Sequence, residues 1–224
     1  LGIIVSETVR LSRLINQILD LAKLESGRAE WTVTAVDVAE VVSEAADSLA
    51  ALFAEKHVTL DLSACESGLG VMADRDRLMQ VMVNLLSNAL KFVPANSGRV
   101  TVGVSGTADE VRVSVADNGP GIHSDDQEVI FDKFRQGSGT TDVLTDKPQG
   151  TGLGLPISRQ IIEYFNGRIW VESATGAGAR FVFTLPHQAG DNVGVRKGSA
   201  VPDGERGDTP PGDTVSHRGG ENNK

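Results

Sequence analysis

The sequence predicts an α+β fold. It should be a two-layer α/β sandwich whose mixed, largely antiparallel sheet carries helices on one face, preceded by one bundle-type helix. Three observations predict it. Apolar residues recur at helical spacing in four segments, at residues 3–25, 37–52, 74–92 and 155–165. Period-two runs come in neighbouring pairs, 99–105 with 111–116 and 168–172 with 180–185, each pair joined by a short turn as in antiparallel hairpins. Helices and hairpins are interleaved along the chain, which argues against a parallel doubly wound sheet.

The first helix repeats Ile4, Leu11 and Ile18 every seven residues, as it does Leu14 and Leu21, with Ile15 and Ala22 widening the stripe. Arg10, Arg13, Gln17, Asp20 and Lys23 take the other face, and Gly27 is a stop signal. Such a helix packs either on its own domain or against another helix or chain. The width of the stripe favours the second. Residues 31–34 read as a short strand, and Asp37 as the N-cap of a helix through Val38, Val41, Val42, Ala45, Leu49 and Leu52. A strand over 58–62 precedes the long helix that begins at Asp74 and ends near Phe92, with Pro94 beyond it. The hairpin 99–116 leads into a loop-rich stretch, 117–149. The last helix is closed by Asn166-Gly167 and followed by the last hairpin. From 187 to 224 the chain carries eight Gly and three Pro, no aromatic residue and no periodicity, and reads as a disordered tail or linker. The expected domains are therefore 1–28, 29–186 and 187–224.

Composition narrows the functions. The chain has 224 residues, 40% of them apolar, which suffices for a large core and excludes collagen-like, knottin-like and wholly disordered classes. A net charge of −9 argues against a nucleic-acid partner, so an anionic ligand must be held by local donors. The single cysteine, Cys65, excludes an internal disulfide framework and a cysteine zinc site, and fits a cytoplasmic location. No run approaches the roughly 18 apolar residues of a membrane span, so no membrane contact is expected of these residues. The chain opens without Met inside a helical pattern, as part of something longer would.

Three segments could carry chemistry. In the helix 74–92, Gln80, Asn84, Asn88 and Lys91 interrupt an apolar sequence of Leu78, Val81, Met82, Leu85, Leu86 and Ala89. They sit at roughly 0°, 40°, 80° and 20° around the axis, one polar stripe. Amide oxygens are hard neutral ligands suited to Mg²⁺ beside phosphates, and a lysine supplies a point charge for a phosphate. A solvated helix face would give the same pattern. Asp117-Asn118-Gly119-Pro120-Gly121-Ile122 follows a strand directly. A carboxylate fixed there can accept from the exocyclic amine of a nucleobase while the glycines admit a flat ring, although Asp-Asn-Gly is also an ordinary turn. Gly150-Thr151-Gly152-Leu153-Gly154-Leu155 opens a helix and offers backbone N–H groups to phosphate, with neither the Rossmann nor the P-loop spacing. Phe131 and Phe134 anchor the base of a loop long enough for a lid, or close a core edge. His57, His123, His187 and His217 have no partner spacing for a metal or nucleophilic site.

In order, NLLSNALKFVP (84–94), DNGPGI (117–122), IFDKF (130–134) and GTGLGL (150–155) resemble the N, G1, F and G2 boxes of the ATP-binding domain of sensor histidine kinases, in the GHKL superfamily. LSRLINQILDLAKLESGR resembles the second helix of the dimerisation and phosphotransfer hairpin. Together these cover nearly all of residues 1–186.

The resemblance implies a Bergerat-type ATP-binding fold with ATP and Mg²⁺ as cofactors. It implies that Asn88, with Asn84, holds Mg²⁺, that Lys91 contacts phosphate and that Phe92 flanks the nucleotide. Asp117 would bond the adenine amine, with Gly119, Gly121 and Ile122 shaping the base pocket. Residues 135–149 would be the lid, with Arg135 or Gln136 near the γ-phosphate. Gly150, Thr151, Gly152, Leu153, Gly154 and Leu155 would wrap the phosphates.

The implied activity is transfer of the γ-phosphoryl group to a histidine for relay to a response regulator receiver domain, with a homodimer in the full-length protein. The family's acceptor lies in a His-Glu motif on the first bundle helix, and none of the four histidines here has that context. The acceptor helix of the same or a partner subunit would have to supply it. The alternatives are a GHKL-type ATPase and a non-enzymatic nucleotide-binding regulatory module. The hydrolytic relatives place a general-base Glu at the position of Asn84, and an amide cannot take a proton from water.

Overall fold

A computed structural model describes residues 2–133 and 151–188. Phe134, the lid expected over 135–149 with Arg135 and Gln136, Gly150, and all but the first two residues of the expected tail lie outside the described residues. In chain order the elements are α1 (Gly2–Glu25), β1 (Val33–Asp37), α2 (Val38–Lys56), β2 (Thr59–Cys65), β3 (Gly70–Asp74), α3 (Arg75–Phe92), β4 (Arg99–Gly106) and β5 (Glu110–Asp117). After β5 come two short 3-10 turns, Ser124–Asp126 and Val129–Phe131. The last elements are α4 (Gly154–Tyr164), β6 (Arg168–Ser173) and β7 (Ala179–Pro186).

The main sheet has the order β2-β4-β5-β7-β6. Only the β2–β4 pair is parallel, which makes it the mixed, mostly antiparallel sheet that the hairpins predict. Alternate residues of its strands point inward, among them Val100, Val102, Val104, Val113, Val115, Phe181 and Phe183. They meet the apolar faces of α2 (Val41, Ala45, Leu49), α3 (Leu78, Leu85, Leu86) and α4 (Ile157, Ile161) in one buried cluster. Burial on this face, rather than intrinsic propensity, fixes the register, because a one-residue slip would turn every valine outward.

Local chemistry sets the element ends. Asp37 accepts from the Ala39 N–H at 2.8 Å and starts α2. Asp74 accepts from the Asp76 and Arg77 N–H groups and, at 2.8 Å, from Thr32, so one buried carboxylate starts α3 and ties down the chain before β1. After α4, Asn166 takes a positive φ of 58°, and the Gly167 N–H bonds the Ile162 carbonyl, as the Asn-Gly pair predicts.

Two local readings differ from the sequence expectation. The strand expected at 31–34 lies at Val33–Asp37, because Trp31 stacks on Tyr164 (centroids 3.8 Å apart, planes 8° apart) instead of entering a ladder. β3 was unforeseen. Its five residues hide only Val71, Ala73 and Asp74, too little alternation to stand out, and it pairs with β1 in a separate two-stranded sheet.

The stripe of α1 divides between the two expected uses. Leu21 is buried in the core, and Leu14 and Leu24 pack against it. Polar contacts add to this, from Asp20 to Arg77 and Gln80, from Gln17 to Thr151 and from Glu25 to Lys133. Leu11, Ile15, Ile18 and Leu19 remain exposed on the same helix.

Candidate functional site

α3 is the spine of the site. Its apolar side buries Leu78, Val81, Met82, Leu85, Leu86, Ala89 and Leu90, while Asn84, Asn88 and Lys91 stay half-buried along the opposite stripe. The chain folds this way because amides and a lysine cannot enter the core unpaired. Asn88 has no side-chain hydrogen bond among the described residues, so its amide oxygen is available. Asn84 is committed. Its amide donates to the Ser158 hydroxyl of α4 at 2.9 Å, and Ser158 is fully buried. Gln80, at the far end of the stripe, accepts from Arg77 at 2.9 Å and donates to Asp20 of α1.

The glycine-rich segment meets the middle of this helix. A Cβ on Gly154 would stand 2.1 Å from Asn84 Oδ1, so any larger residue at the start of α4 would have to push the Asn84 amide aside. Leu153 is buried, which anchors the segment, while Thr151, Gly152 and Leu155 stay partly exposed beside it. Thr151 donates its hydroxyl to Gln17 of α1 at 2.6 Å.

The end of α3 meets the loop after β5. A Cβ on Gly119 would lie 3.2 Å from the Phe92 carbonyl. Lys56, from the end of α2, donates to the carbonyls of Leu90 (2.5 Å) and Val93 (2.7 Å) and fastens this last turn. Lys91 stands 4.8 Å over the Phe92 ring, and burial lowers its pKa. The Phe92 ring itself is exposed.

Asp117 accepts from the Gly119 N–H at 2.8 Å. Burial raises its pKa, and the N–H groups of Gly119 and Ala179 oppose that rise without cancelling it. The carboxyl is a half-buried acceptor. Gly121 (φ 73°) presses on the β6–β7 turn, where a Cβ would fall 2.0 Å from the Ala174 carbonyl, and Ile122 packs on the core behind the loop.

Residues from three distant segments thus converge on one helix. Arg135 and Gly150 lie outside the described residues. The sequence reading missed Ser158, whose signal was a lone hydroxyl on the buried side of α4 beside Pro156, Ile157, Ile161 and Ile162. It also missed Lys56, which carries no signal until α2 and α3 are known to be neighbours.

A family model described as histidine kinase-, DNA gyrase B- and HSP90-like ATPase matches residues 73–189. The adaptive-response sensory kinase SasA of Synechocystis sp. is 38% identical over 178 residues, which cover 79% of this chain and 45% of that protein. The chain spans half or less of the length of the curated relatives considered with it. Among solved structures, full-length ShkA in complex with AMPPNP is 31% identical with a TM-score of 0.68, over 79% of this chain and 36% of that one. Histidine kinase ThkA in complex with the response regulator protein TrrA is 28% identical with a TM-score of 0.64, over 84% of this chain and 50% of that one.

Proposed function

Because the chain belongs to the family of histidine kinase-, DNA gyrase B- and HSP90-like ATPases, we propose that residues 29–186 are the ATP-binding catalytic domain of a two-component sensor histidine kinase. The reaction is transfer of the γ-phosphoryl group of ATP to a histidine on an acceptor helix, for relay to a response regulator. One observation carries the reading. α3 touches the glycine-rich segment at Asn84 and the base loop at Phe92. Eight residues of helix separate these contacts, roughly 12 Å, a span that suits the phosphates at one end and the base at the other.

Asp117 accepts the adenine amine, and Gly119, Gly121 and Ile122 shape the surrounding pocket. Phe92 flanks the nucleotide. Thr151, Gly152, Leu153, Gly154 and Leu155, with Gly150, offer backbone donors to the phosphates, and Arg135 or Gln136 acts near the γ-phosphate. Lys91 contributes positive charge. The donor set fits Mg²⁺, because Asn88 presents an amide oxygen with no partner among the described residues and Asn84 lies one turn before it. When bound, the metal would neutralise phosphate charge. Catalysis by these residues is positioning and charge stabilisation, with no protein nucleophile required. At position 84 a hydrolase needs a base, and here the carboxamide is bonded to Ser158.

The similarity to a kinase whose structure holds AMPPNP, and to one in complex with a response regulator, supports the nucleotide and the partner. The exposed Leu11, Ile15, Ile18 and Leu19 of α1 support a homodimer built on residues 1–28. No helix among the described residues is long and apolar enough to cross a membrane. The need for ATP supports a cytoplasmic location for the domain.

The test uses γ-labelled ATP with and without a supplied helical bundle bearing a His-Glu motif. Acid-labile label on the bundle, and none on the chain alone, is the expected result. Phosphate release without transfer would favour a hydrolase, and binding without either would favour a regulatory module.

A further inference from the structure

The base loop is also held by the β6–β7 hairpin, and the fastening converges on one hydroxyl. Ser173, the last residue of β6, donates its Oγ–H to the Gly178 carbonyl at 2.6 Å. The same Oγ accepts the Ile122 N–H at 2.8 Å. Gln127 completes the junction by donating Nε2 both to the Ser173 carbonyl (2.8 Å) and to the Ile122 carbonyl (3.1 Å). The Gly176 N–H reaches the Pro120 carbonyl at 2.6 Å. A Cβ on Gly178 would fall 2.0 Å from the Asp117 carbonyl, so the hairpin backbone lies directly against the base-reading residue.

We propose that Ser173 and Gln127 are positioning residues for base selectivity, holding the 117–122 loop so that the Asp117 carboxylate faces the ring position where adenine carries its amine and guanine a carbonyl oxygen. This rests on the reading of Asp117 as the base acceptor. Neither residue reaches the ligand. The Ser173 hydroxyl is spent inside the protein, and the Gln127 amide bridges two backbone carbonyls. Their effect is geometric. Without the Oγ, the Ile122 N–H and the Gly178 carbonyl both lose a partner, and the loop can drift relative to β7. A carboxylate accepts in several directions, so a displaced Asp117 still binds a donor but discriminates less between adenine and guanine.

The experiment measures affinity of the whole chain for ATP and GTP by calorimetry, with thermal stability recorded for each variant. Ser173→Ala and Gln127→Ala should each shrink the ATP-over-GTP preference about five- to tenfold. Ser173→Thr, which keeps a hydroxyl, should restore most of it. Val182→Ala removes a buried side chain from β7 of the same hairpin and is the control, lowering stability with the preference intact. If Ser173→Ala does not fold, Gln127→Ala supplies the same readout. Lower stability with an unchanged preference in the Ser173 and Gln127 variants would overturn the assignment. A wild-type chain that does not prefer ATP would instead overturn the reading of Asp117, and this assignment with it.

Discussion

Asn84 and Ser158 are joined by a 2.9 Å hydrogen bond between the α3 amide and the buried α4 hydroxyl, directly beneath the point where Gly154 passes Asn84 Oδ1. The pair couples the helix that bears the polar stripe to the segment that should wrap phosphate. Asn84 is therefore a structural link as much as a ligand candidate, and its two roles are separable by experiment.

Gly154→Ala should be severe, because the new methyl would displace an Oδ1 whose amide is held by Ser158. Asn84→Ala alone strands a buried hydroxyl and should cost about 1–3 kcal/mol of stability. In the double variant the alanine methyl gains the space that the amide leaves. The two losses should be clearly less than additive, as expected for residues in contact. Chemical denaturation of the four proteins checks it. Additive losses would mean that the close approach is not what demands glycine at 154.

Asp117→Asn should lower ATP affinity by about 1.5–3 kcal/mol, the worth of a hydrogen bond to a charged group, because an amide offers one acceptor and an unwanted donor pair. The pH dependence follows from the raised pKa. The folded chain holds the Asp117 proton to higher pH than the unfolded chain does, so the ionised carboxyl costs stability above its folded pKa, and that cost disappears as the pH falls. Affinity moves the other way, since the acceptor is lost on protonation. ATP binding should begin to weaken above the ordinary carboxylate range as the solution is acidified, and Asp117→Asn should abolish that component. Calorimetry across mildly acid pH, on wild type and variant, decides it.

Asp74→Ala should destabilise the domain by about 2 kcal/mol, at the upper end of the N-cap range, because one buried carboxylate serves Thr32, Asp76 and Arg77. Asp74→Asn, which keeps an acceptor, should recover part of this. Urea midpoints of the two variants test it. A wild-type midpoint in Asp74→Ala would show that the cap contributes little.

Much of this was legible in the sequence because the signals are local. Asp37 and Asp74 announce helix starts, Asn166-Gly167 a helix end, and period-two valines the central strands. The polar stripe of α3 and the carboxylate at the end of β5 also stand out on their own. What stayed hidden is non-local. Lys56 gains its meaning from the carbonyls of Leu90 and Val93, more than thirty residues away, and Ser173 from Ile122, fifty-one residues away. The split of the α1 stripe, with Leu21 buried and Leu11 exposed, depends on where α4 lies. Seven-residue spacing cannot tell these faces apart.

Asn88 and Lys91 share one stripe but differ in chemistry, and the difference separates a metal ligand from a phosphate contact. A neutral amide oxygen has little attraction for a bare triphosphate and gains value through a hard cation. A lysine attracts phosphate with or without metal. Asn88→Ala should therefore cost far more affinity for ATP with Mg²⁺ present than with EDTA, whereas Lys91→Ala should weaken binding in both. Leu85→Ala provides the contrast. Leu85 is fully buried, and truncation should remove about 2–5 kcal/mol of stability while leaving metal dependence unchanged in protein that still folds. Gln80→Ala should also leave metal dependence unchanged, because its amide is spent on Arg77 and Asp20. Titrating nucleotide affinity against Mg²⁺ for the four variants tests the whole stripe. An Asn88→Ala variant with wild-type metal dependence would reduce α3 to a scaffold and move the metal to groups outside this helix.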